Sequence, residues 1–286
     1  MQSIWISLAL LGGLGAVFGL LLAFAAKKFA VESDPRIDEI EQVMPGANCG
    51  ACGYPGCRGA AEAIVEGKAP TTACPVGKAA VADKIAAIMG TSAGASEAKR
   101  AILMCRGGRE ECPDRFVYVG VADCAAAHRL AGGPKGCEFG CLGLGSCVVK
   151  CPFGAIHINE KGLAEIGPDC TGCGLCVSAC PRGLLMLVPA DKPVVVNRCK
   201  NTQRGPEVRK ICKVGCIACS LCVRNCPKKA IAVVNNVAVI DQDKCAKCNL
   251  CMSRCPVQKP KPEPKRDAAG EQKKETQPTT QTTSVG

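Results

Sequence analysis

Asp169 to Gly183 reads DCTGCGLCVSACPRG, which spaces Cys170, Cys173, Cys176 and Cys180 by two, two and three residues and follows the last with proline. Three thiolates this close can wrap one corner of an iron–sulfur cubane, while the fourth points toward a neighbouring site. C-x2-C-x2-C-x3-C-P is a ligand run for [4Fe–4S] clusters, with its fourth cysteine serving the other cluster of a pair. One such run therefore predicts a partner. GCIACSLCVRNCPKKAI (Cys216, Cys219, Cys222, Cys226) and KCAKCNLCMSRCPVQ (Cys245, Cys248, Cys251, Cys255) make one reciprocal pair. The partner of the first run is GCEFGCLGLGSCVVKCPFGAI, where Cys137, Cys141, Cys147 and Cys151 are spaced by three, five and three. Its CPFGAI ending fits the repeat, and the extra residues read as a wider loop around the cluster.

These runs give four expected ligand sets: Cys137, Cys141, Cys147 and Cys180; Cys170, Cys173, Cys176 and Cys151; Cys216, Cys219, Cys222 and Cys255; Cys245, Cys248, Cys251 and Cys226. A fifth lies upstream in MPGANCGACGYPGCRGAAEAIVEGKAPTTACPVG, with Cys49, Cys52, Cys57 and Cys74 spaced by two, four and sixteen. There RGAAEAIVEGKA reads as a helix returning Cys74 to the loop. The chain has 25 cysteines and two histidines in 286 residues, so something binds them. Disulfides belong to oxidising compartments, and zinc favours two separated CxxC or CxxH pairs; neither suits these runs as well as a cluster does. His128 and His157 are spare, since cysteines already fill each set. No residue reads as a nucleophile or general base, so the catalytic set is empty.

The elements that must position these ligands are small. AIHINEKGLAEIG (155–167) and AIAVVNNVAVID (230–241) each put apolar segments on both sides of an Asn/Gly turn, the pattern of a β-hairpin. With only 3% aromatic residues the core is thin, and ligation must supply much of the folding energy. Ile4 to Ala26 carries no charge and reads as one transmembrane helix, and Lys27 and Lys28 put the rest of the chain in the cytoplasm. The absence of a positive n-region argues against a cleaved signal. The expected fold class is α+β: a single transmembrane helix (1–28), a small α-rich [4Fe–4S] domain (35–90), and two bacterial-type two-cluster ferredoxin domains. A connector rich in small residues (91–100) leads to the first, which includes its preceding segment (101–198). The second follows (199–257), then a Lys/Pro/Gln/Thr-rich tail (258–286) with the composition of disorder.

The membrane anchor, the C-x2-C-x4-C-x16-C domain, GPKGCEFGCLGLGSCVVKCPFGAI and VRKICKVGCIACSLC together resemble the B subunit of the Rnf complex, over roughly residues 1 to 257. The resemblance implies an inner (cytoplasmic) membrane, single-pass subunit that takes electrons from soluble ferredoxin. It would relay them through iron–sulfur clusters to redox centres of the other Rnf subunits, coupled to Na⁺ or H⁺ transport and NAD reduction. Flavin and NAD sites would lie on those subunits, in keeping with the lack of a convincing G-x-G-x-x-G on a βαβ unit here. A polyferredoxin subunit of another membrane oxidoreductase is the alternative.

Charge and the remaining cysteines complete the reading. The formal net charge of +11 suggests nucleic acid, but each oxidised cluster with four thiolates carries about −2, so six would bring the holoprotein near neutrality and no nucleic-acid partner is expected. From Cys199 to Gln258 there are 11 Lys/Arg against 3 Asp/Glu; from Gly132 to Asp191 there are 4 against 5. An acidic ferredoxin is therefore expected to dock on the C-terminal unit through Lys213, Arg224, Lys228, Lys229, Lys244, Lys247 and Arg254. Five cysteines are left over. Four of them, Cys105, Cys124, Cys199 and Cys212, sit where the resemblance also places cysteines, and are expected to hold a sixth [4Fe–4S] cluster. Cys112 is then a free thiol; a zinc site, or five small buried apolar residues, is the alternative.

Overall fold

Residues 2–28, 34–94 and 97–257 are described by the computed structural model. The expected tail and the middle of the expected connector lie outside the described residues. The first helix, α1 (Gln2–Lys28), is continuous over 27 residues and ends on Lys27 and Lys28, which place cations at the negative end of its dipole. Trp5, Leu11, Leu20 and Leu22 are exposed on it. Side chains at 2–4, 7–9 and 26 lie outside the described set, and among the described residues no helix is long and apolar enough to cross a membrane.

Three helices build the next unit. α2 (Pro35–Val43) begins at Asp34, whose carboxylate accepts the Arg36 N–H at 2.9 Å, with Pro35 where no N–H is needed. α3 (Gly56–Val65) lies where the sequence predicts a helix, starting two residues earlier, and α4 (Lys78–Met89) stops at Gly90. Ile37, Ile40, Ala60, Ala61, Ile64 and Ile85 form the core between them. Small alanines on α3 let α2 approach closely, and Arg58 crosses to Asp38 and Glu41, both at 3.0 Å. Those ion pairs are exposed and orient the helices more than they stabilise them.

The remainder contains two units of similar plan. The first holds β1 (Lys99–Leu103), α5 (Cys124–Arg129), α6 (Ser146–Val149), β2 (Ile156–Ile158), β3 (Ala164–Ile166), α7 (Leu175–Ala179) and β4 (Leu185–Pro189). The second holds α8 (Gly205–Ile211), α9 (Leu221–Arg224), β5 (Ile231–Val234), β6 (Val237–Ile240) and α10 (Leu250–Ser253). Both expected hairpins form, with Ile156 opposite Ile166 and Ile231 opposite Ile240. Asn235 and Asn236 both take positive φ between β5 and β6, the two-residue turn whose twist matches the flanking strands. A further ladder was not expected: β1 pairs antiparallel with β4, from Lys99 opposite Pro189 to Leu103 opposite Leu185. It stitches the segment before the first unit to that unit's end. Lys99 and Arg100 therefore belong to a strand and not to the connector.

Cores here are small and made partly of sulfur. Ala101, Leu103, Ile156, Leu163, Leu184 and Leu185 pack with Cys147 and Cys176 in the first unit; Val195, Ile231 and Ala238 pack with Cys251 in the second. Backbone proximity to the cysteine loops also decides one residue type. Gly172, between Cys170 and Cys173, has φ +74°, and a Cβ there would run into the carbonyl oxygen of Lys99 at the start of β1. Gly154 also has positive φ, +61°, but nothing lies within 4 Å of its would-be Cβ. Gly154→Ala is expected to cost only the left-handed backbone, about 1 kcal/mol, and Gly172→Ala distinctly more, because strand β1 must move as well. Denaturant titration of the anaerobic protein, followed by loss of absorbance near 400 nm, compares them; equal midpoints would refute the close approach.

Candidate metal centres

Four short helices, α6, α7, α9 and α10, each carry one cysteine in their first turn: Cys147, Cys176, Cys222 and Cys251. Two residues before each of these lies a left-handed residue (Gly145, Gly174, Ser220, Asn249), and two before that another (Gly143, Gly172, Ala218, Lys247). Such alternation turns successive N–H groups inward, a concavity suited to an anion. Backbone N–H groups also reach sulfur directly. Leu184 and Ala230 donate to Cys180 and Cys226, at 3.4 and 3.3 Å, each four residues past its cysteine. Lys247 and Ala101 donate to Cys245 and Cys170, both at 3.4 Å.

Among the described residues no three His, Cys, Asp or Glu side chains converge as a single metal ion requires. The cysteines instead line cavities. Cys151, Cys170, Cys173 and Cys176 line one; Cys216, Cys219, Cys222 and Cys255 another, which Cys251 also borders; Cys226, Cys245, Cys248 and Cys251 a third. These are three of the expected sets. A ring of four thiols around a space suits a polynuclear centre, whose ligands attach to separate irons, so the donor set and its layout fit a [4Fe–4S] cluster. Upstream, Cys52, Cys57 and Cys74 pack against the three-helix core, and the Cys57 N–H is pinned by the Asn48 side chain at 2.8 Å.

The fourth ring differs from expectation. It is lined by Cys124, Cys141, Cys147 and Cys180, with Cys137 elsewhere. Cys124 is brought in from α5 by a small polar network. Asp123 caps α5 by accepting the Ala126 N–H at 2.7 Å and accepts the Ser146 hydroxyl at 2.7 Å, while that hydroxyl also receives the Cys124 N–H at 2.6 Å. Ser146 opens α6, which carries Cys147. A signal for this was present in the sequence. Counted back from Cys147, Cys141 falls where the first ligand of a standard run falls and Leu144 falls where the second would be. The run has the spacing of a standard one lacking its second cysteine, and Cys124 lines the cavity beside the other three.

Cys137 joins a different cavity, lined by Cys105, Cys112, Cys137, Cys199 and Cys212, between the two units. The sixth expected set thus exchanges Cys124 for Cys137. Four of its sulfurs face two N–H donors each. Cys105 faces the N–H groups of Cys141 (3.4 Å) and Gly107; Cys137 faces the buried Asn201 side-chain amide (3.3 Å) and Phe139 N–H. Cys199 faces the N–H groups of Cys216 and Asn201, and Cys212 those of Val214 and Gly215. Cys112, 1% exposed, packs with Cys137 and Cys212. Its thiol hydrogen-bonds both sulfurs, which raises its own pKa and lowers theirs. Elsewhere burial keeps thiols neutral: it pushes Cys105 and Cys176 up to about 11 and Cys147 to about 12. Ligation needs thiolates, so metal has to displace protons at these positions.

Comparison with known proteins bears on this architecture. Residues 44–76 match a family model described as a putative Fe-S cluster, and residues 136–185, 169–231 and 215–259 match models described as 4Fe-4S dicluster domains. Over 248 residues the chain is 48% identical to the B subunit of the proton-translocating ferredoxin:NAD(+) oxidoreductase complex of Clostridium ljungdahlii, covering 86% of this chain and 87% of that one. It is 46% identical over 246 residues to the Na(+)-translocating counterpart of Acetobacterium woodii, covering 86% and 74%. The chain belongs to the family of Rnf complex B subunits. It is also 43% identical over 239 residues to the B subunit of the ion-translocating oxidoreductase complex of Methanosarcina acetivorans, covering 84% and 90%.

Double substitutions test the exchanged ring, because cysteines of one ring lose one cluster between them and cysteines of two rings lose two. Cys124→Ser with Cys147→Ser is expected to remove about 4 irons, and Cys137→Ser with Cys147→Ser about 8. Iron and acid-labile sulfide in anaerobically purified protein measure this. The reverse pattern would restore Cys137 to the Cys141 ring.

Proposed function

We propose that this chain is the electron-transfer subunit of a membrane-bound Rnf complex. It accepts electrons from reduced ferredoxin and delivers them to membrane redox centres, with ion transport and NAD reduction carried out by the assembly. The observation that carries this reading is the adjacency of the cysteine rings. Cys147 and Cys176, from neighbouring rings of the first unit, pack in one core, and the Cys176 sulfur helps to raise the Cys147 pKa. The Cys141 N–H reaches Cys105 in the cavity between the units, and the Cys216 N–H reaches Cys199 in the same cavity. Bound [4Fe–4S] clusters supply one-electron transfer; the chain sets their sites beside one another and leaves exposed sulfur only at Cys219 and Cys248. Six sites are proposed: Cys49, Cys52, Cys57 and Cys74; the four rings of the two units; and Cys105, Cys137, Cys199 and Cys212. Cys112 then remains a thiol against the last of these. Intact protein is expected to hold about 24 irons, against about 20 if the cavity between the units is not a cluster site.

We place α1 across the cytoplasmic membrane as a single span, with the iron–sulfur units in the cytoplasm. Its 27 residues make a helix of about 40 Å, against about 30 Å of hydrocarbon, and Ile4 to Ala26 carries no charge. Removing residues 1–28 is expected to release the chain from membranes into the soluble fraction in the absence of the other subunits; continued sedimentation with membranes would argue against the anchor.

Electron entry is assigned to the C-terminal unit. Of the 25 cysteines only Cys219 and Cys248 are exposed, and both belong to that unit. Lys213, Arg224, Lys228, Lys229, Lys244 and Arg254 are exposed around it, whereas Lys247 is half-buried and Lys244 lies 3.4 Å from Asp241. This cationic rim around near-surface sulfur suits a small acidic carrier. Lys228→Glu with Lys229→Glu is expected to slow electron uptake from reduced ferredoxin several-fold at low salt, with the difference fading as salt screens the charges. Stopped-flow bleaching near 400 nm reads the rate, and unchanged rates at every ionic strength would move the docking face elsewhere.

A further inference from the structure

The residue after the Cys-Pro that closes each of the four cysteine runs of the two units is Phe153, Arg182, Lys228 and Val257. Lys228 is exposed, but Arg182 is turned inward. Its guanidinium donates to the carbonyl oxygens of Cys137 (3.0 Å), Gly140 and Gly132, and its Nε is buried with no partner. The same side chain lines the cavity of Cys124, Cys141 and Cys180. Arg182 thus stands between that ring and the cavity between the units, to which Cys137 belongs. Among the described residues no carboxylate forms an ion pair with it; the nearby Glu138 pairs with Arg115 at 3.5 Å. Carbonyl dipoles hold the fork in place but do not neutralise it. Burial, and to a lesser degree the neighbouring Arg115 cation, lowers the arginine's pKa, and the anions that raise it are the sulfurs of Cys137, Cys141 and Cys105. Lys135, 3% exposed in the same Gly132–Gly140 segment, adds a second buried cation.

A half-buried guanidinium whose Nε is shut off from water and which has no carboxylate is unfavourable unless an anion faces it. We propose that Arg182 is a positioning residue of the electron relay, a fixed counter-charge shared by the Cys124/Cys141/Cys147/Cys180 ring and the Cys105/Cys137/Cys199/Cys212 site that raises the reduction potentials of the clusters held there. The inference rests on the reading that both sites hold [4Fe–4S] clusters. Uptake of one electron, supplied by reduced ferredoxin, adds one negative charge to a buried site with no bond made or broken. A cation held nearby stabilises the more negative state more strongly, and the low polarity of the surroundings strengthens the effect. Three carbonyl acceptors fix the charge at one place, so it acts on two sites and spares the others.

The test is a redox titration of anaerobic full-length protein followed by electron paramagnetic resonance, with iron counted in every sample. Arg182→Gln is expected to keep the iron content of the unmodified protein and to move two midpoint potentials to more negative values, leaving the rest in place. Arg182→Lys, which keeps the charge, is expected to recover most of the shift. Full iron with no potential moved, or a uniform shift of all centres, overturns the proposal. If Arg182→Gln loses iron, Arg182→Lys decides: its displaced charge should leave a smaller negative shift confined to two centres, and no shift overturns the assignment. An iron content in the unmodified protein too low for both sites to be filled would instead overturn the reading on which the inference rests.

Discussion

Sulfur has to face inward in this chain, and a thiolate facing inward has to be met by positive charge. That constraint organises everything from residue 97 to residue 257. Burial raises the thiol pKa at Cys105, Cys147 and Cys176, so these three become stable anions only when iron arrives. The backbone is shaped to receive the resulting charge. Left-handed residues recur at matching places in all four loops, and N–H groups from Leu184, Ala230, Lys247 and Ala101 point at sulfur. Both features serve an anion and neither serves a hydrophobic core.

The aliphatic residues are accordingly a wall around the sulfur more than a core of their own. Ile156, Leu184 and Leu185 in the first unit, and Ile231 in the second, sit beside ligand cysteines. The two hairpins supply these walls. The β1–β4 ladder goes further, because it brings the segment carrying Cys105 across the first unit, where the Cys141 N–H meets it. From the other side, Asn201 reaches Cys137 while its own N–H faces Cys199. A buried polar residue of this kind is costly unless satisfied, and Asn201 is satisfied by donating to sulfur and to Gln203 and by accepting the Gln203 N–H. The cavity between the units is therefore part of the structure that joins them, which gives a relay its continuity without a long linker.

The N-terminal unit solves the same problem by other means. Cys57 is set by the Asn48 side chain and Cys74 returns after α3, so one helix and one loop suffice, against a core of isoleucine and alanine. The spacing of two, four and sixteen residues corresponds to this geometry: short steps within a loop and a long one across a helix.

Local spacing determined what a loop can do unaided. Three cysteines two residues apart can reach one centre through the backbone that joins them, so the standard runs were legible before any fold was known. Period-two alternation around an Asn-Asn or Gly-bearing turn likewise specified both hairpins. The left-handed positions were only half legible, since Gly172 and Gly174 announce themselves but Ser220 and Asn249 do not. What the sequence could not decide was which distant cysteine completes an incomplete run. Cys124 and Cys137 lie 23 and 10 residues before Cys147, and chain distance favours Cys137. The Asp123–Ser146–Cys124 hydrogen bonds and the contact of Asn201 with Cys137 reverse that order. Each joins residues 22 to 64 positions apart in the chain, and a contact of that kind leaves no periodicity in the sequence to read.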